Sequence, residues 1–150
     1  MSILSWLKTV THGGNTADLI NQPLTFGAGE EEFQGLNMKD ALDAHTQWTH
    51  RLEAILNGTS NETLEVGTVA ADCHCALGHW IHGHAKQNFS NLSEYDELKR
   101  KHAEFHLTAG EVLNNVQNGE GHKASEGLRK IRGKSGEVQI ALIRLYSVAR

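Results

Sequence analysis

From Asn37 to Val148 apolar residues recur at alternating spacings of three and four, the period of helices with one buried face. Met38, Ala41, Leu42, His45, Trp48, Leu52 and Ile55 form the first stripe, with Asn37 placed to cap it and Asn57-Gly58 to end it near Leu56. After a loop at 59–61, a second helical region is expected over roughly 62–85. A third carries Leu98, Phe105, Ala109, Val112, Leu113 and Val116. Ser93 is read as its cap, Asp96 and Glu97 sit in its first turn, and it ends near Asn118-Gly119. A fourth, over about 123–148, carries Leu128, Ile131, Ser135, Val138, Leu142 and Leu145. No stretch alternates like a strand. Four amphipathic helices with short connections predict an all-α fold, an antiparallel four-helix bundle.

Two features sit outside that pattern. Gly127, Gly133 and Gly136 fall inside the fourth helix, where each costs about 1 kcal/mol against alanine. They serve either a close helix approach or a kink. Residues 1–36 hold the only proline (Pro23), Gly13-Gly14 and the acidic run Glu30-Glu31-Glu32, and are read as a peripheral N-terminal tail ahead of a bundle over 37–150. Within the tail, Ile3, Leu4, Trp6, Leu7 and Val10 fit a short amphipathic turn. A frayed end with a few apolar contacts is the simpler reading.

A chain of 150 residues is the size of one domain able to bury a core. Its net charge is −4, and Lys and Arg gather only at Lys99-Arg100-Lys101 and around Arg129-Lys130-Arg132-Lys134. On helices those clusters read as solvated faces, so nucleic-acid binding is not expected. No run is long enough to span a membrane. The apolar start lacks the basic leader and cleavage site of a signal peptide, so a cytoplasmic protein is expected. In that compartment Cys73 and Cys75 point to metal or redox chemistry rather than to a structural disulfide.

Histidine is the compositional anomaly, with ten copies, six of them between His74 and His106. His102 and His106 are four apart on the third stripe, so both imidazoles face the core from adjacent turns. His45, on the first stripe, can reach the same depth from a neighbouring helix. Three imidazoles ask for a fourth donor, and a thiolate suits zinc. Helical phase through Val66, Ala70, Leu77 and Trp80 turns Cys73 inward, whereas a second face of small residues, Ala71, Cys75 and Gly78, favours Cys75. The two cysteines lie about 200° apart on one continuous helix.

His45-Thr-Gln-Trp48, Cys75-Ala-Leu77-Gly78-His-Trp80 and His102-Ala-Glu-Phe-His106, in that order, resemble the chemoreceptor zinc-binding domain family over roughly 37–148. The resemblance implies a zinc ion held by His45, Cys75, His102 and His106, and a homodimer. It also implies a sensor responding to zinc, or to oxidants such as hypochlorous acid, through its cysteine ligand. Family members usually feed chemotaxis or cyclic-di-GMP signalling. Neither output domain is recognisable here, so a stand-alone member working through a chemoreceptor or diguanylate cyclase partner is expected. The alternative is zinc buffering, or a zinc-stabilised interaction protein with no signalling role.

The remaining candidates read more plainly. Cys73 becomes a buried small residue or a resolving thiol. Asp43 or Asp72 is a candidate to orient a ligand imidazole. Trp48 and Trp80 pack beside the site. His74, His79, His82 and His84, in mixed phase, read as a solvated face rather than a second metal site, and His12, His50 and His122 have no partner in view. An enzyme is not expected. The Pro-Cys-x-x-Cys of zinc deaminases and the His-Glu-x-x-His of metalloproteases are missing, and a four-donor shell leaves no open position.

Overall fold

The computed structural model describes residues 25–150. The amphipathic turn expected around Ile3–Val10 lies outside the described residues. The described chain is all-α apart from one minute hairpin, β1 (Glu32–Phe33) and β2 (Leu36–Asn37), paired antiparallel with Phe33 opposite Leu36. Its two-residue turn, Gln34-Gly35, has positive φ at both positions (45° and 87°), the backbone that closes the tightest hairpins. Phe33 and Leu36 are buried, so the packed body begins ahead of Asn37. Phe33 is enclosed by Trp80, Phe89 and Tyr146, with ring centroids 5.1, 5.7 and 5.3 Å away.

Three long helices follow the predicted stripes. Helix α1 (Met38–Leu56) starts at Asn37, whose side chain accepts from the Asp40 N–H at 2.9 Å. Met38, Ala41, His45 and Leu52 are buried. Helix α5 (Ser93–Gln117) begins one residue earlier than a Ser93 cap requires: Leu92 holds the cap position without a side-chain bond, and Ser93 is the first helical residue. Helix α6 (Gly121–Ala149) folds back along α5 after the turn at Asn118–Glu120 and buries Leu128, Ile131, Val138, Leu142 and Leu145. It runs through its glycines without a break. A Cβ on Gly127 would come within 2.6 Å of Val112 Cγ2, so this glycine lets α6 approach α5 closely.

The expected second helix is the part that differs. In place of one helix over 62–85, the chain is non-helical to Glu65, forms the short α2 (Val66–Ala70), and breaks at 71–75. It resumes as α3 (Ala76–Trp80), widens to a π-turn (Ile81–Ala85), and closes as α4 (Lys86–Phe89). Val66-Gly67-Thr68-Val69 are poor helix formers, and Asp72 favours turns over helix interiors. A π-turn shifts helical register by one residue and often accompanies function. The interruption is what positions the centre described next.

Candidate metal centre

Three separate parts of the fold meet around one small volume. Helix α5 contributes His102 and His106, one turn apart and 0 % and 3 % exposed, with ring centroids 4.6 Å apart. Helix α1 contributes His45, 1 % exposed, with its ring centroid 5.1 Å from that of His102 and 5.7 Å from that of His106. The break at 71–75 contributes Cys75, half-buried, with Sγ 3.2 Å from His102 Nε2 and 3.6 Å from His106 Nε2. One donor atom from each of the four lies within 4.8 Å of every other, and this is the single such group of His, Cys, Asp or Glu found among the described residues.

The backbone fixes which nitrogens face inward. His45 Nδ1 lies 2.7 Å from the Ala41 carbonyl and His106 Nδ1 lies 3.0 Å from the Val69 carbonyl. A carbonyl only accepts, so each Nδ1 carries the proton and each Nε2 is left with its lone pair. His102 turns Nδ1 outward too, 3.9 Å from the Asp72 carboxylate, where it has no hydrogen-bond partner. His45 Nε2 is likewise buried without a partner. A buried imidazole nitrogen left unpartnered, as His45 Nε2 is among the donors, costs stability unless something fills the gap it faces.

Electrostatics point the same way. Burial pushes His45 down to about 4 and, with the neighbouring imidazoles adding to it, His102 down to about 2. Burial also lowers His106, against the pull of the Val69 carbonyl. All three are therefore neutral near pH 7, the form that donates to a metal. Burial raises the Cys75 thiol, opposed by the N–H groups of Gly78 and Leu77. A divalent cation would reverse that last effect and complete the set. Three imidazole nitrogens and one sulfur are a donor set suited to tetrahedral zinc. The buried lone pair of His45 is the clearest sign that the residues fit such an ion.

The interruption decides between the cysteines. Helical phase through an unbroken helix turned Cys73 inward, and the structure overturns that: Cys73 is exposed, neither buried nor part of the cluster. The break resets the phase, and Cys75 becomes the residue that caps α3, its Sγ accepting from the Gly78 N–H at 3.3 Å. The N–H groups of the helix start partly offset the burial that raises its thiol. Gly78 is buried against the Asp72 backbone so closely that a side chain has no room. That contact folds the 72–75 turn onto α3 and aims both Asp72 and Cys75 at α5.

Of the two aspartates, Asp72 stands beside His102 and also meets His82 Nε2 at 3.0 Å, while Asp43 pairs with Lys39 on the surface. His74, His79 and His82 are exposed, as a solvated face requires. His84 is exposed as well, 2.8 Å from Gln34 Oε1. His50 is exposed and His122 faces Glu126 at 3.5 Å. His12 lies outside the described residues. Trp80 donates its indole N–H to the Gln34 carbonyl at 3.1 Å, and Trp48 is half-buried under the Arg51 guanidinium. The anchoring carbonyls of Ala41 and Val69 escaped sequence reasoning, because a backbone acceptor leaves no mark in a side-chain pattern.

Comparison with known families adds an independent finding. A family model described as the chemoreceptor zinc-binding domain matches residues 45–113, from the first imidazole of the cluster to a point one turn short of the end of α5. The match lies inside the wider span of 37–148 read from the motifs and stops short of α6. No curated protein and no solved structure matches the chain.

Proposed function

We propose, on the premise that residues 45–113 belong to the chemoreceptor zinc-binding domain family, that this chain is a zinc-binding sensor. In this reading His45, Cys75, His102 and His106 are its metal ligands. The convergence of four donors from α1, the 71–75 break and α5 within 4.8 Å carries the reading. Zinc bound there supplies a positive charge that keeps the sulfur deprotonated.

The chain's own residues do the rest. The Ala41 and Val69 carbonyls hold two imidazoles in the tautomer that presents Nε2. Asp72 is placed to take the outward N–H of His102. Four protein donors fill a tetrahedral shell, so the site has no position for a substrate and the proposed protein is not an enzyme. Cys75 is the responsive donor, because sulfur is oxidisable and imidazole is not. Attack of its thiolate on hypochlorous acid gives a sulfenic acid and chloride, and a sulfenic acid is a poor ligand. A fall in zinc supply breaks the same bond. Either event unties the break at 71–75 from α5.

The proposed output is a change in the 66–89 segment, read by a second copy of the chain in a homodimer or by a chemoreceptor or diguanylate cyclase partner. Antiparallel four-helix architecture, with the interrupted segment as its fourth member, belongs to this reading. So does a cytoplasmic location; no described helix is long and apolar enough to cross a membrane. A purely structural zinc is the second reading, favoured by one observation: the four donors come from three separate segments, α1, the 71–75 break and α5. Hydrogen exchange separates the two. The sensor reading expects loss of protection confined to 66–89 when zinc is stripped or Cys75 is oxidised. Protection lost evenly through α1, α5 and α6 would instead support the structural role.

A further inference from the structure

The centre is sealed on one side and open on the other. His106 is buried against α2, where the Val69 carbonyl closes the back of the cluster, and His102 is buried behind Asp72. On the front a cavity of about 510 Å³ runs between α1 and α3, and of the four donors only His45 and Cys75 line it. Its walls are largely apolar, formed by Leu36, Ala41, Ala44, Ala76, Leu77 and Trp80. Four further polar residues line it as well, Asn37, Asp40, His79 and His84, none of which has a role in the cluster itself. The volume falls within the range of small-molecule sites.

We infer that this cavity is the portal of the centre, the route by which a divalent ion enters and by which a small chelating or thiol-reactive molecule reaches Cys75. The inference rests on the metal reading above but concerns residues outside the donor set. An ion bound by three buried imidazoles and a half-buried sulfur must otherwise wait for α1 and α5 to part. Here it can be met from the cavity, where an incoming donor displaces sulfur or His45 while His102 and His106 still hold. Asp40, His79 and His84 are carboxylate and imidazole groups suited to transient contact with an ion in passage. The apolar walls let a small neutral reagent through.

Ala44 is exposed on the rim and is not a donor, so Ala44→Trp plugs the cavity without touching the cluster. Two rates are read in a Cys73→Ser background, so that Cys75 is the only thiol. One is zinc removal by a chromogenic chelator in the holoprotein, and the other is alkylation of Cys75 by iodoacetamide in the metal-free protein. In the parent, zinc removal should rise in proportion to chelator concentration. The plug should slow both rates about tenfold, equivalent to about 1.4 kcal/mol on each barrier, while leaving zinc affinity at equilibrium unchanged. Ala44→Ser, which leaves the cavity open, should behave as the parent. Chelator-independent removal, or equal rates in parent and plug, would overturn the portal. If the protein holds no zinc at all, the metal reading fails, and the alkylation arm alone still tests the portal.

Discussion

Gly78 lies against the carbonyl oxygen of Asp72 with no room for a Cβ. The contact is backbone to backbone, so no side-chain rotation relieves it. Gly78→Ala should cost about 1–3 kcal/mol, the usual range for overpacking a tight site. It should also weaken metal binding, because Cys75 hangs from the same turn. Urea denaturation of the metal-free protein and zinc titration should show both effects together. An alanine variant with parent-like stability and affinity would mean the turn is not held by this contact.

Buried, unpartnered donor atoms predict a trade between binding and stability. His45 Nε2 has no hydrogen-bond partner and its ring packs against Phe105 at 5.0 Å between centroids. His45→Leu places an apolar side chain at the position and removes the orphan. It should leave the metal-free protein as stable as the parent or more so, since removing an unsatisfied buried polar group recovers about 1–3 kcal/mol. The same variant should lose tight zinc binding. Thermal melts with and without zinc check this: the parent gains stability from the metal and His45→Leu does not.

Acid should act on the metal-free protein through the same imidazoles. An unfolded histidine titrates near about 6.5, whereas His45 in the fold is pushed down to about 4 by burial. Between those values the unfolded chain takes up a proton that the fold refuses. Stability is therefore complete above about pH 6.5 and declines as the pH falls toward about 4. His102 and His106, lowered for the same reason, add to the decline. Urea midpoints should drop between about pH 7.5 and about pH 5. Flat or rising midpoints would contradict the burial of neutral imidazoles.

Helical structure should outlast the metal. The long helices bury continuous apolar faces, including Leu52, Leu98, Leu113, Ile131 and Leu142, besides the residues of the cluster. Chelation should therefore keep most of the far-ultraviolet helical signal while lowering the melting temperature. Collapse to a coil spectrum would show that the ion builds the fold.

Much of this was legible in the chain. The stripes of α1, α5 and α6 were clear because each is long, strongly periodic and bounded by Asn-Gly steps or a good cap. His45, His102 and His106 were legible for the same reason, since their phase placed them on buried faces. The 62–85 region was not. Its few apolar residues fit a helical period that the backbone does not follow, and extrapolating one phase across the break turned the wrong cysteine inward. The motif beginning at Cys75 corrected what periodicity missed, because Leu77-Gly78 and Trp80 carry local contacts: Gly78 on Asp72, Trp80 on Phe33. The hairpin at 32–37 escaped notice because two-residue strands have no period to read.

Cobalt substitution tests the central claim most directly. Cobalt(II) takes zinc's tetrahedral site, and a sulfur ligand gives it an intense thiolate-to-metal charge-transfer band. The protein and Cys73→Ala should each bind about one cobalt per chain and show that band together with tetrahedral d–d absorption. Cys75→Ala should bind weakly and lack the band. A band that survives in Cys75→Ala but vanishes in Cys73→Ala, or no stoichiometric binding at all, would contradict a centre built from His45, Cys75, His102 and His106.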